Sequence, residues 1–455
     1  MNTIGRRRAA PDRPARGHPA AGRRPPARGR TRLRAARARP VIGLAAAALA
    51  ASGLAACGSS GAGAGPVTLN FYLYPDGSGA TQQAINNCDK QSGGKYTISY
   101  QQLPTGSDGQ RQQMARRLAA HDGSLDILGL DVTWEAEFAQ AGWIEPWTGT
   151  YRAQATSGTL IPALNTAIWK GRLYAVPDNS NTQLLWYRSD LVPHPPATWA
   201  QMLADAAQLK RQGKPHLIEI QGAQYEGTTV WFNTMVSSAG GTVLDPTATK
   251  VTLGAPAVKA LSIMKQLASG PAADPSLSVQ MENDNRLAME GGTAAFQLNY
   301  PFVYPAMKAD NPKLFKVFKW ALYPEVIPGV PAKVTIGGID LAVSAYSQHK
   351  ALAFQAALCL RDRQNQLIGA NVGGVPPTIT SLYTDPALFK NYPFHADILN
   401  ALEHASVRPK TPVYQVVSID ISHLVSPPSG ISPASTEQSM ASQISNALQS
   451  KGLVP

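Results

Sequence analysis

The chain has 455 residues, 41 of them Lys or Arg and 29 Asp or Glu, for a formal charge of +12 at pH 7. The excess is local. Residues 1–40 hold 13 Arg and one Asp, residues 41–56 hold no charge, and residues 57–455 have 28 basic against 28 acidic residues. The charge thus belongs to the leader, and the remainder has no electrostatic footprint for nucleic acid.

Residues 41–56 form a 16-residue apolar run after the Arg-rich stretch. A membrane-spanning helix needs about 20 apolar residues, whereas the core of a signal peptide needs fewer. The run ends Leu54-Ala55-Ala56-Cys57-Gly58, which resembles a bacterial lipobox, with small residues ahead of a Cys that is lipidated. The expectation is a signal peptide over 1–56 and a lipid on Cys57; the plainer alternative is a short anchor with an incidental Cys. Residues 57–65, rich in Gly, Ser and Ala, read as a flexible tether. Nothing after Cys57 is long and apolar enough to span a bilayer.

The 399 residues from Cys57 onward are enough for two cores. Residues 67–74 read as a strand, followed by a Pro-Asp-Gly turn and a helix through Cys88. A second strand is expected over 96–103, a helix over 110–121 with Met114 and Leu118 on one face, and a buried strand over 125–130. This alternation predicts a doubly wound, mostly parallel α/β sheet, which binds ligands beyond the carboxyl ends of its strands. The loops at 74–78 and 131–134 then face the crevice. Thr198 reads as the N-cap of a helix beginning at Trp199. Cys88 and Cys359 both sit in helical patterns. In an oxidising compartment they favour a disulfide over two buried free thiols.

Catalytic and cofactor signatures are missing: no Gly-x-Ser-x-Gly, no His-Glu-x-x-His, no Walker loop and no dinucleotide fingerprint. The eight His do not pair at metal-ligand spacing, so neither a metal nor another cofactor is expected. Glu135 and Glu137 read as a solvated helix face rather than a carboxylate pair for glycoside hydrolysis. Aromatic and amide residues in the loops suit a polar, uncharged ligand.

Residues 174–191 (YAVPDNSNTQLLWYRSDL), 291–302 (GGTAAFQLNYPF), 331–343 (PAKVTIGGIDLAV) and 371–377 (NVGGVPP) resemble, in order and spacing, the extracellular solute-binding proteins of ABC sugar importers. That resemblance implies a two-lobed periplasmic-binding-protein-like fold of type II with a hinge between lobes. It implies a binding protein rather than an enzyme, acting as a monomer at the outer face of the membrane, with permease subunits as partners. Lobe one would be residues 66–178 plus 334–374 and lobe two residues 179–333 plus 375–455. Cys88 and Cys359 would then share lobe one. Residues 130–143, 181–188, 226–233, 334–338 and 407–414 further resemble the trehalose-binding branch of actinobacterial importers, so trehalose or a related disaccharide is the expected ligand. The chain departs from that branch in the 74–78 loop and at Asn299-Tyr300, where Trp is usual. The alternatives are another oligosaccharide, a glycerophospho-ligand, or a lipid-anchored glycoside hydrolase.

A sugar needs donors, acceptors and an aromatic platform. Asp131, at the end of a buried strand, reads as a ligand contact, or otherwise as a helix N-cap. Asn181 marks the first lobe crossing. Tyr300, backed by Phe302, is the platform candidate, and Trp231 is a site residue if it is not core. Gly338 would let the backbone approach a ligand. The resemblance implies that Arg408 contacts hydroxyls. Asp340, Glu226 and Asn299 complete the candidate set.

Overall fold

The computed structural model describes residues 65–450. The expected signal peptide, Cys57 and all but the last residue of the tether lie outside the described residues. The strands are β1 (Val67–Leu73), β2 (Tyr96–Gln102), β3 (Ile127–Asp131), β4 (Ile168–Trp169), β5 (Arg172–Leu173), β6 (Ala175–Asn181), β7 (Leu184–Arg188), β8 (Leu217–Glu219), β9 (Ala294–Asn299), β10 (Phe318–Ala321) and β11 (Gly337–Val343). They form one sheet in the order β2-β1-β3-β11-β6, a second in the order β10-β7-β9-β8, and the small hairpin β4-β5.

The expected strands and helices of the first 131 residues are present, with ends shifted by at most three residues. Helix Ser107–Ala119 buries Gln110, Met114 and Leu118, one stripe at intervals of four. Helix Ala80–Gln91 buries Ala84, Ile85 and Cys88 against the first sheet. Thr198 caps helix Trp199–Arg211, its hydroxyl accepting from Gln201 N at 3.1 Å. Cys88 and Cys359 are disulfide-bonded with their Cα atoms 5.8 Å apart, both packed on the core of the first sheet.

Each sheet has one reversed strand. In the first, β1 is parallel to β2 and β3, and β11 runs antiparallel to both β3 and β6. In the second, β8 and β9 are parallel, and β7 runs antiparallel to β9 and β10. The reason is topological. β7 follows β6 across the lobes after only Thr182 and Gln183, and β11 begins where the chain returns. A strand entering from the other lobe starts at the crevice and runs away from it. All other strands of the two sheets end there, which is where such sheets place ligands.

Each sheet has its own core. Leu69, Ile127, Leu341 and Phe354 belong to the first, and Trp199, Phe232, Met264, Phe296 and Ile421 to the second. A third cluster brings Leu160 and Ala163 together with Trp186, Phe394 and Ile398. Among the described residues no helix is long and apolar enough to cross a membrane.

Candidate functional site

Three chain crossings lie side by side. Asn181, ending β6, pairs with Gly337, opening β11. Ser180 N donates to Pro376 O at 2.9 Å, which brings in the third crossing. Ile336 N donates to Ser406 O at 2.8 Å, and this fixes the backbone two residues before Arg408.

Arg408 is 3% exposed, not solvated as Arg in a polar loop usually is. Its Nη1 donates to Glu226 Oε1 at 2.5 Å and its Nη2 to Asp131 Oδ1 at 3.1 Å. The guanidinium therefore ties the end of β3 to the first residue of helix Glu226–Ser238. Tyr414 Oη also donates to Glu226 Oε1, and Ser418 Oγ to Oε2, both at 2.5 Å. Burial pushes the Glu226 carboxyl up, opposed by Arg408 beside it and by its hydrogen bonds. Asp131 is not the helix N-cap, since Trp134 holds that position in helix Glu135–Gln140 without a side-chain cap bond. Asp131 Oδ1 accepts from Thr133 N and Oγ1 at 3.0 and 2.7 Å, shaping the turn before helix Glu135–Gln140, and the same oxygen takes Arg408. The side chain is 21% exposed, so it still faces the crevice.

Tyr300, just after β9, is half-buried beside this trio. Burial raises its phenol, with Glu282, Asp131 and Glu226 acting in the same direction and Arg408 against. Tyr225 lies on the same side. Its hydroxyl is buried without a hydrogen-bond partner, and a Cβ on Gly227 would stand 2.1 Å from it. Gly227 is thus what makes room for this hydroxyl.

Four sequence readings change. Trp231 belongs to the lobe-two core, fully buried and stacked on Trp199 at 6.3 Å. Asn299 is buried with its side chain committed to Glu282 O and Tyr300 N at 2.9 and 2.8 Å, so it shapes the turn under Tyr300. Gly338 has φ +136° and needs its missing Cβ because Asn179 O would lie 2.3 Å away; the close approach is to β6, not to the crevice. Glu135 is not on a solvated face: it is 1% exposed and faces Asp340, also 1% exposed, while Glu137 pairs with Arg111 at 2.6 Å. Asn181 retains a buried Oδ1 with no partner. In the 74–78 loop, Asp76 is spent locally, accepting from Ser78 N and Thr81 N at 2.8 and 2.7 Å.

Tyr414 and Ser418 join the site, and Thr166 and Lys410 stand beside it, although the sequence alone does not single them out. Tyr414 and Ser418 carry a signal: they stand four apart on a helix whose Val417, Ile421 and Val425 enter the core. Thr166 donates to Asp340 Oδ2 at 2.8 Å. A cavity of about 440 Å³ opens beside Lys410, between Trp169 and Lys170 on one side and Pro246 to Ala248 on the other. Among the described residues no three His, Cys, Asp or Glu are grouped to hold a metal ion.

A two-lobed body with this crevice has counterparts. A probable ABC transporter-binding protein of Deinococcus radiodurans is 28% identical over 359 residues, 76% of this chain and 84% of its own. The maltose-bound MalE3 of T. maritima has a TM-score of 0.78 at 26% identity, over 83% of this chain and 99% of that one. The GacH receptor of Streptomyces glaucescens shares the fold, with a TM-score of 0.76 at 22% identity over 85% of this chain and 100% of its own. The family model for bacterial extracellular solute-binding proteins matches residues 75–361. The chain therefore belongs to the bacterial extracellular solute-binding protein family and is a binding protein rather than an enzyme.

Proposed function

We propose that this protein captures a disaccharide, trehalose first among candidates, between its lobes and delivers it to the permease of an ABC importer. The observation that carries the reading is the crevice itself. Asp131, Arg408, Glu226 and Tyr414 form a dense donor and acceptor set around Tyr300. The buried Asn181 Oδ1, Tyr225 Oη and Arg408 Nε have no partner within the protein. Each buried polar atom without a partner costs about 1–3 kcal/mol. A ligand with many hydroxyls is the class that satisfies acceptors and donors together. Tyr300 offers an aromatic face for a sugar ring.

A maltose-like ligand is the second reading, favoured by the maltose carried by the T. maritima protein. The glycerophospho-ligand reading is weaker, since Arg408 already faces two carboxylates. Calorimetry with trehalose, maltose and glycerophosphodiesters separates them. Heat with trehalose supports the first reading. Heat only with another glycan removes trehalose and keeps the class, and no heat with any glycan overturns the sugar reading.

The lipobox ending at Cys57 supports anchoring at the outer face of the membrane, with residues 57–65 as tether. Cys57→Ala should then release the protein from the membrane fraction; unchanged partitioning would remove the anchor from this reading.

A further inference from the structure

Behind Asp131 lies a polar cluster that the proposed sugar contacts do not use. Glu135 opens helix Glu135–Gln140 and Asp340 lies on β11. Both Glu135 oxygens and Asp340 Oδ1 are buried with no donor from any other residue, and the two carboxyls lie close enough to hydrogen-bond and perturb each other. Burial pushes both up, Asp340 to about 7. Among the described residues, the other charges acting on them are Asp131, from the end of β3, and Lys410.

Lys410 comes from the other side of the crevice. It lies between Arg408 and helix Tyr414–Val425, whose Val417, Ile421 and Val425 are in the lobe-two core. Its ammonium donates to Asn165 O at the end of helix Ile161–Thr166, where a helix favours positive charge. It lines the cavity at the seam between the β4-β5 hairpin and residues 246–248. Burial lowers its affinity for a proton, and Glu135 and Asp340 hold that affinity up.

We infer that Lys410 is an interlobe latch, a lobe-two cation that seats on the lobe-one acid pair Glu135–Asp340 and on Asn165 O when the lobes close, and so sets how tightly the ligand is held. This rests on the reading of a ligand captured between closing lobes. Lys410 is a positioning residue here and is not assigned a contact with the ligand. The attraction it supplies exists only while the acid pair is charged, so it grows as pH rises through the range in which the pair ionises.

The test measures glycan affinity by calorimetry for Lys410→Gln and Lys410→Arg at about pH 5.5 and about pH 8.5, on either side of the value of about 7 to which Asp340 is raised. Lys410→Gln should weaken binding about tenfold at the higher pH and about twofold or less at the lower one, with Lys410→Arg recovering most of the loss. In a Glu135→Gln, Asp340→Asn background, Lys410→Gln should cost about twofold or less, since the partner charge is gone. Thermal melting confirms that each variant is folded, and Glu135→Gln alone serves if the double variant is not. Small-angle scattering without any ligand should show a larger radius of gyration for Lys410→Gln, which keeps the latch testable even if no sugar binds. Wild-type affinity in Lys410→Gln at both pH values overturns the latch, as does a loss equal at both or an unchanged radius of gyration.

Discussion

Arg408 Nη2 stands 3.1 Å from Asp131 Oδ1, joining positions 277 residues apart in the chain. With Glu226 on Nη1 at 2.5 Å, the guanidinium is shared between an acid at the end of β3 and one at the start of a lobe-two helix. Removing one partner of a buried charged network leaves the others unpaired, a loss of about 3–5 kcal/mol. Arg408→Ala should therefore weaken sugar binding at least about tenfold and also lower the melting temperature. Arg408→Lys keeps the charge but loses the two-pronged geometry, so it should recover stability more than affinity. Calorimetry and thermal melting on the same preparations check this; unchanged affinity in Arg408→Ala would remove it from the site.

The buried acids give a pH dependence with a definite sign. Asp340 is pushed up to about 7, Asp178 to about 6 and Glu219 to about 8, in each case chiefly by burial. Their unfolded values lie near about 4. Between the unfolded and folded values the native state holds more protons than the unfolded one, so stability falls as pH rises through that window. Each such group contributes a slope of up to about 1.4 kcal/mol per pH unit. Denaturant unfolding between about pH 4 and about pH 8 should show this decline. Asp340→Asn should flatten it between about pH 4 and about pH 7, and an identical slope in that variant would show that Asp340 is not the group responsible.

The strand and helix order is legible because burial writes its period into the sequence. Met114 and Leu118 repeat at helical spacing, and residues 127–130 are all apolar because both faces of β3 are covered. The lobe crossings are legible only through resemblance, since crossing segments such as Thr182-Gln183 carry no periodicity. Asp131, Glu226 and Arg408 stand out in the sequence, but their mutual pairing does not, because it joins three distant stretches of chain. Glu135 misleads for a local reason. A Glu two before another Glu at a helix start looks solvated, and only the placement of β11 alongside β3 brings Asp340 against it. Trp231 and Asn299 are of suitable residue types for a sugar site, but residue type alone does not say which way a side chain faces.

Gly338 is the most constrained glycine at the crossings. Its φ of +136° is a conformation that residues with a Cβ rarely adopt, and that Cβ would lie 2.3 Å from Asn179 O. Gly338→Ala must therefore distort the pairing of β11 with β6, next to Asn181. We expect a loss of about 2–3 kcal/mol in unfolding free energy, with weaker sugar binding because the first and second crossings move together. Gly142→Ala, at a positive-φ site with nothing within 4 Å, should cost only about 1 kcal/mol. Equal losses in the two variants would mean that the steric term at Gly338 is not the one that matters.

The disulfide should separate stability from binding. Cys88 and Cys359 lie 271 residues apart, in helices that both pack on the first sheet. A bridge closing so long a loop constrains the unfolded chain strongly, and removing it should cost about 3–5 kcal/mol. Asn365 is next to the bridge: its side chain is held by Cys359 O at 2.9 Å and Asn87 at 3.0 Å, and it lies in the helix that leads to the third crossing. None of these contacts reaches Asp131, Glu226 or Arg408. The Cys88→Ser, Cys359→Ser double variant should thus melt earlier and unfold at lower denaturant, yet bind sugar within about twofold of the parent well below its melting temperature. An affinity loss matching the Arg408→Ala variant would show that the disulfide acts on the crevice through the third crossing rather than on lobe one alone.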